Sequence, residues 1–447
     1  MPTFAIQTLG CKVNQYESEQ IASLLRSHGW TESDVPSADL RIVNTCSVTV
    51  DAASKSRQAV RRAVKLQVAG QAHDPQVIVA GCWATSDKQA ATAIPGVSLV
   101  VTHQDDVAAK LKQYLKPTES TAPNPPIAGT RSLPLLNSRQ SHNQRAFLKI
   151  QDGCDAHCTY CIIPNLRPLP WSKPIDDLIR EARQLVDAGH VELVLTGIFL
   201  GAYGQETALR RRQNKSGTES LAAAIEALCD SVSGLRRIRL SSLEPGDLDD
   251  HLLTVLRSHP QVVPHFHLPL QSGSDAILRK MNRQYRREDF LRLVDRLRGA
   301  FERPALTTDI IVGFPGETDS AFDQTLEVVH RAGFVHIHAF PFSPRPGTAA
   351  ARWKESFVPG TTVNQRIDHL RELAAKFSLE FRSTFIGQTV QVLVEQDKSH
   401  SNFHHGRCER YFDVYFESDA VSAGDLVTLR VDRVTPTRTF ATLAAIE

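Results

Sequence analysis

Three cysteines inside the stretch "DGCDAHCTYCIIP" (152–164) constrain this chain more than any other feature, because Cys154, Cys158 and Cys161 bring three thiols into one loop. Thiolate is a soft ligand, and three at C-x3-C-x2-C spacing point to zinc or an iron–sulfur cluster. The chain has eight cysteines in all. Its N-terminus, "MPTFAIQTLGCK", lacks the basic residues that open a secretory signal, so it is expected to form a first strand, with the cytoplasm as the expected location. No apolar run approaches the ~18–20 residues that span a bilayer. Metal or redox chemistry is therefore expected of the thiols, in place of a disulfide framework.

With 447 residues, 41% hydrophobic and 22% charged, the chain has the make-up of a folded protein of two or three domains. The N-terminal part alternates: "FAIQTL" precedes "NQYESEQIASLLRSHG", "LRIVNT" precedes "DAASKSRQAVRRAVKL", and "QVIVAG" precedes a weaker helix. Alternation of this kind predicts an α/β domain with a parallel sheet. A cysteine follows each strand: Cys11, Cys46 and Cys82. In an open parallel sheet the loops after the strands share one edge, where ligands bind. A single such cysteine reads as a buried thiol; three in successive βα units read as a second metal site.

Residues 117–140, rich in Pro, Ser and Thr, are expected to be a linker between this first domain (1–116) and a second (141–378). Six short apolar runs follow, "AFLKI", "VELVLTG", "RIRLSS", "HFHLPL", "LTTDIIVGF" and "VHIHAFPF", interleaved with helical segments. One helix is explicit: Pro174 opens it, Ile175, Leu178, Ile179, Ala182 and Val186 form its apolar face, and Gly189 ends it. Six βα units predict a partial, open (β/α)6 barrel with its chemistry at the C-terminal strand ends. The cysteine triplet lies after the first of them. Residues 384–447 are β-rich with Gly-containing turns and predict a small all-β barrel of OB-like shape.

The net charge of +2 does not by itself announce a nucleic-acid partner. Two basic clusters, Arg210, Arg211, Arg212 with Lys215, and Arg279, Lys280, Arg283, Arg286 with Arg287, read as solvated surface unless RNA is expected on other grounds.

A [4Fe–4S] cluster is normally held by four thiolates, so three leave one iron open for a substrate or cofactor. The competing reading is zinc with His157 as fourth ligand. Structural zinc sites usually pair their ligands in two separated knuckles, and His157 adjoins Cys158. The triplet after the first strand of a six-unit barrel resembles the loop of the radical S-adenosylmethionine (SAM) superfamily. That resemblance implies that SAM fills the vacancy and is cleaved to a 5′-deoxyadenosyl radical.

Nearly the whole chain resembles the methylthiotransferases within that superfamily. "TLGCKVNQYESE" (8–19), "NTCSVT" (44–49) and "AGCWA" (80–84) are similar to their N-terminal domain, "KIQDGCDAHCTYCIIP" (149–164) to their radical loop, and "LTGIFLGAYG", "SSLEP", "LPLQSGS", "DIIVGFPGET" and "FSPRPGT" to the rest of the barrel. The C-terminal segment resembles the TRAM domain, a small RNA-binding barrel. The resemblance implies two [4Fe–4S] clusters, one on Cys154, Cys158 and Cys161 and one on Cys11, Cys46 and Cys82, with SAM contacts at Tyr160, Gly197, Gln271 and Gly313. It implies insertion of a methylthio group at C2 of N6-threonylcarbamoyladenosine beside the tRNA anticodon, "TLGCKVNQYESE" being most similar to that branch. Branches acting on another tRNA adenosine or a ribosomal-protein aspartate are the alternatives, and a non-catalytic iron–sulfur RNA-binding module is the alternative of another class. Implied partners are the tRNA anticodon arm, an electron donor such as a flavodoxin or ferredoxin, and a sulfur source; no membrane is involved.

One segment departs from the family pattern: at 167–172 the chain reads "RPLPWS", with Pro168, Leu169 and Trp171 where Gly and Arg are usual. Proline fixes φ and removes a donor, so a differently shaped loop is expected there. Cys229 and Cys408 read as structural.

Overall fold

Parallel pairing explains why a cysteine follows three of the N-terminal strands. The structure, a computed structural model, describes residues 1–66, 74–115, 133–137, 144–213, 219–396, 403–418 and 420–444. Strands β1 (Thr3–Thr8), β2 (Thr31–Glu32), β3 (Leu40–Thr45), β4 (Gln76–Ala80) and β5 (Val97–Val101) form one parallel sheet in the order β2-β1-β3-β4-β5. The cysteine-bearing strands are neighbours in register, Thr8 beside Asn44 and Asn44 beside Ala80. Cys11, Cys46 and Cys82 therefore leave the sheet at adjacent points of one edge. The strand order reverses between β1 and β3, the switch point where open α/β sheets bind ligands.

Helix α1 (Lys12–Ser27) packs Ile21, Leu24 and Leu25 on Ile42 and Ile78, while α2 (Val50–Lys65) packs Ala59, Val60 and Ala63 on Val43, Val77 and Val79 of the opposite face. Part of the expected linker is docked. Leu133, Leu135 and Leu136 are buried, Gln20 donates to the Pro134 carbonyl at 2.9 Å, and the Leu136 N–H donates to Glu181 at 2.9 Å. Linker residues other than 133–137 lie outside the described ones.

The six expected strands are present as β6 (Ala146–Lys149), β9 (Glu192–Thr196), β10 (Arg237–Leu240), β11 (His265–His267), β12 (Ala305–Val312) and β13 (His336–Pro341). They form two parallel triplets, β6-β9-β10 and β11-β12-β13, linked by a bridge from Ile238 to Val262. A short hairpin of β7 (Gln151–Asp152) and β8 (Trp171–Ser172) flanks the triplet loop. Ile238, Leu240, Phe266, Leu306, Ile310 and Ile337 enter the apolar core under the helices, which include α5 (Ile175–Asp187). Strand side chains alternate between faces, so Arg237, Arg239, His265, His267, Thr307, Asp309, His336 and His338 line the other side, the barrel interior.

The last segment closes into a barrel, β14 (Thr389–Val394), β15 (Phe403–Cys408), β16 (Asp413–Glu417), β18 (Thr439–Leu443) and β17 (Leu426–Val434), as expected of a TRAM-like module. The expected boundary at 378 falls inside one continuous helix, α6 (Gly360–Ser383), whose Leu370, Leu373 and Phe377 pack on the (β/α) core and whose Phe381 packs on the terminal one. Arg239 pairs with Glu192 at 2.8 Å and donates to the carbonyls of Cys408 and Glu409, tying the two barrels together. Among the described residues no helix is long and apolar enough to cross a membrane.

The first domain is joined to the second by buried charge. Glu17 of α1 binds Arg167 at 2.7 Å and Lys149 at 3.0 Å, and Asp152 binds the same two cations at 2.7 and 3.1 Å. Beside them the Tyr16 hydroxyl donates to Glu181 at 2.8 Å and accepts from Lys173 at 2.9 Å. Removing one member of a buried ion network leaves an uncompensated charge, at a cost of about 3–5 kcal/mol. Glu17→Gln is accordingly expected to lower the denaturation midpoint by that equivalent and to expose the junction to limited proteolysis; a midpoint equal to wild type would show that the network contributes nothing to docking.

Candidate functional site

The loops carrying Cys11, Cys46 and Cys82 are interlocked by polar side chains next to them in sequence. Asn14 donates to the carbonyls of Leu9 and Thr45, Asn44 donates to the Asn14 carbonyl, and the Thr45 hydroxyl accepts from the N–H groups of Trp83 and Ala84 at the start of α3 (Gly81–Ser86). Two glycines permit the approach. A β-carbon on Gly10 would lie 2.9 Å from the Cys46 Cβ, and one on Gly81, whose φ is +89°, would lie 2.3 Å from Asn44 Oδ1. Burial pushes the Cys82 thiol up to about 12; Arg167 opposes this, while Cys11 and Cys46 add to it. The three sulfurs thus share one neighbourhood.

The second set sits in a strapped loop. The Cys154 N–H donates to the Arg167 carbonyl at 3.0 Å, and Gly153, φ +78°, has room only for hydrogen because a β-carbon would come within 1.9 Å of the Leu169 carbonyl oxygen. Cys154, Cys158 and Cys161 line one cavity of about 210 Å3 together with Tyr160, Glu244, Gln271 and Arg283. Arg283 donates to the Cys158 sulfur at 3.2 Å and also pairs with Glu244. Burial pushes the Cys154 and Cys161 thiols up to about 12, a cost that a bound metal offsets by stabilising thiolate.

The donor set fits an open cluster better than zinc. His157 is exposed, has φ +51°, and lies outside the cavity lining. Gln271 Oε1 is buried without a hydrogen-bond partner among the described residues, which suits a chamber built around a further ligand.

Of the sequence-derived SAM contacts, Tyr160 and Gln271 line the triplet chamber and Gly197 lines the adjoining one. Gly313 lines neither. Its N–H donates to Glu317 at 2.8 Å, and a β-carbon there would meet Val363 at 2.4 Å.

The two cysteine sets touch through intervening residues. Cys82 packs on Ile162 and Leu166, which flank and end α4 (Ile163–Leu166), directly after Cys161. The "FSPRPGT" segment spans both: Ser343 accepts from the Val50 N–H at 2.9 Å, and Gly347 accepts from Asn165 at 3.3 Å. From the same segment Arg345, 8% exposed, carries a buried Nε without a partner, and its charge is felt at Cys46.

The basic clusters are not uniform solvated surface. Arg210 binds Asp247 at 2.7 Å and Glu244 at 3.2 Å, and Arg283 meets the same Glu244, so Arg283 belongs to the wall of the triplet chamber and Arg210 backs its Glu244; Arg211 and Arg212 are exposed. Lys215 lies outside the described residues. In "RPLPWS", Arg167 is the buried partner of Glu17, whereas Pro168, Leu169 and Trp171 face a separate hollow that His103 and Asp106 also line. The departing residues therefore lie at the back of the loop, outside the lining of the triplet chamber.

A larger chamber of about 610 Å3 occupies the barrel interior and shares Ser242 and Pro269 with the triplet chamber. Cys11 and Lys12 reach it from the first domain, His265, His267, Asp309, His336 and His338 from the strands, and Tyr411 from the terminal barrel. The sequence signal for the histidines is the alternation in "HFH" and "HIH", polar at every second position of strands that otherwise look buried. Asp309 accepts from His267 at 3.2 Å; burial raises its pKa, but the His267 bond and charge outweigh this and hold it below the usual range. Tyr411 has φ +71°, stacks on His265 at 4.3 Å, and lies under Arg145, Arg239 and Arg407.

Comparison with known proteins follows this division of the chain. Residues 148–329 match the radical SAM superfamily, and residues 3–102 match the Uncharacterized protein family UPF0004. The chain is 35% identical over 444 residues to the threonylcarbamoyladenosine tRNA methylthiotransferase MtaB of Bacillus subtilis, covering 96% of this chain and 94% of the relative. It is 34% identical over 441 residues to the tRNA-2-methylthio-N(6)-dimethylallyladenosine synthase of Acidothermus cellulolyticus, covering 97% and 86%. The solved radical SAM methyltransferase TsrM of Kitasatospora setae shares the fold, with TM-score 0.53, 14% identity, and coverage of 78% of this chain and 77% of that one.

Burial opposes ionisation of Tyr411, but the charges of Arg145, Arg407 and Lys12 overcome it and bring the phenol down to about 8. A free tyrosine ionises near ~10, so this group favours the folded state increasingly as pH rises from about 8, and that contribution is lost as pH falls through about 8. Ultraviolet titration of the metal-free protein is expected to show one tyrosinate appearing near pH 8 that is missing from Tyr411→Phe; identical titrations would place Tyr411 outside the cationic cage.

Proposed function

The chain belongs to the radical SAM methylthiotransferase family, and from that premise we propose that it inserts a methylthio group at C2 of N6-threonylcarbamoyladenosine beside the anticodon of tRNA, in the cytoplasm. The family's cofactors are two [4Fe–4S] clusters and SAM. Cys154, Cys158 and Cys161 would hold one cluster and Cys11, Cys46 and Cys82 the other; when bound, these groups and SAM supply the radical, the sulfur and the methyl group. The observation that carries the reading is the adjacency of the two chambers: the triplet lines the smaller, Cys11 lines the larger, and Ser242 and Pro269 line both.

The protein's own part is to position and enclose. Tyr160 and Gln271, which line the triplet chamber, and Gly197, which lines the larger one, would contact SAM. Arg283 holds positive charge against Cys158. The larger chamber has the volume of a nucleoside site, and an anticodon loop can splay a base into such a pocket. Its lining of Lys12, Asp309 and histidines favours a polar base substituent over the hydrocarbon chain of a dimethylallyladenosine. An electron donor of the flavodoxin or ferredoxin type and a sulfur source complete the reaction.

Nucleoside mass spectrometry of tRNA from cells with and without the chain is expected to show the methylthio derivative of threonylcarbamoyladenosine only where the chain is present. Appearance of methylthio-dimethylallyladenosine in its place would transfer the chain to the other tRNA branch. After anaerobic reconstitution, iron is expected at about eight per chain, falling to about four when Cys154, Cys158 and Cys161 are all replaced by Ala. A fall from about four to none would remove the second cluster from the proposal.

A further inference from the structure

Lys12 lines the larger chamber next to Cys11, and among the described residues it has no ion pair and no side-chain hydrogen bond. The carboxylate that shares the lining, Asp309, is engaged by His267 at 3.2 Å. The neighbouring arginines are occupied as well: Arg239 by Glu192, Arg407 by Asp413 and Arg145 by Glu395. Among the described residues Lys12 thus has no ion-pair or hydrogen-bond partner of its own in the chamber, although the charges of Tyr411 and Asp309 reach it. Other buried polar atoms there are also waiting: Ser241 Oγ and His265 Nδ1 have no partner among the described residues, in side chains that are 9% and 4% exposed. Burying an uncompensated cation is costly, and the cost is relieved when an anion enters.

We propose that Lys12 is the specificity residue of the chamber and binds the carboxylate of the threonylcarbamoyl substituent, with Ser241 and His265 taking its remaining polar atoms. The inference rests on the substrate reading given above and adds the group that recognises it. Lys12 is half-buried at the first residue of α1 beside Cys11 and lines the chamber wall, so the N6 substituent of a base held in the chamber can reach the ammonium. A neutral alkyl substituent would leave Lys12, Ser241 and His265 unpaired, which is a stronger rejection than loss of apolar contact alone. Recognition of this kind discriminates in binding as well as in turnover.

The test uses the reconstituted enzyme and anticodon stem-loop RNAs bearing threonylcarbamoyladenosine as free acid, its methyl ester, dimethylallyladenosine, or unmodified adenosine. Wild type is expected to bind the acid about tenfold or more tightly than the ester, the range of a charge-assisted hydrogen bond. Lys12→Gln should erase that preference without changing affinity for the unmodified RNA, and Lys12→Arg should retain it, with equal iron content in all three proteins. An equal loss for every RNA in Lys12→Gln would mean that Lys12 contacts phosphate, and an undiminished preference for the acid would place recognition elsewhere; either overturns the proposal. Product analysis on the wild type separates this from the substrate reading. If the acid RNA is methylthiolated but Lys12→Gln keeps its preference, only the role of Lys12 fails; if wild type modifies only a dimethylallyladenosine RNA, the substrate reading fails first.

Discussion

The arrangement of both cysteine sets depends on one buried ion network, Glu17 and Asp152 against Arg167 and Lys149. Its members belong to the cysteine loops themselves. Glu17 lies one and a half turns after Cys11, Asp152 two residues before Cys154, and Arg167 six residues after Cys161. Charges taken from water need close, correctly oriented partners, so any other docking of α1 on the barrel leaves at least one of them unpaired. Tyr16, Glu181 and Lys173 extend the same contact into the barrel core. The network therefore acts less as a source of net stability than as a gauge of position, holding Cys82 against the helix that follows Cys161.

The barrel interior is unusual in being polar. Barrel enzymes generally fill this space with branched apolar side chains, whereas here lysine, histidine and aspartate line it and the terminal barrel closes one side with Tyr411. The terminal barrel is thus part of the pocket wall as well as a separate module. Helix α6 makes the connection rigid, since one uninterrupted helix carries apolar contacts to both cores.

Much of this was legible in the sequence. Three strands each followed by a cysteine predicted a shared edge, and the register of β1, β3 and β4 provides it; the six apolar runs correspond to the six barrel strands. What escaped the reading was set by tertiary contact. Leu133, Leu135 and Leu136 lie in a stretch whose Pro, Ser and Thr content reads as linker, yet they are buried because Glu181 and Gln20 offer hydrogen bonds to the backbone around them. Arg210 and Arg283 stand in runs that look solvated, and only the fold brings Glu244 between them. Lys12 is next to a ligand cysteine in sequence, but its significance depends on histidines from strands more than two hundred residues away.

The junction built on α1 also sets a timetable. Tyr16 and its partner Glu181 are 165 residues apart in the chain. At a synthesis rate of ~5–20 residues per second, about 10–30 s separate their emergence. Once Cys82 has emerged, and until Glu181 follows it, the N-terminal sheet presents Cys11, Cys46 and Cys82 on an edge that the barrel has not yet covered. Three neighbouring thiols in that state are open to oxidation and to whichever metal arrives first.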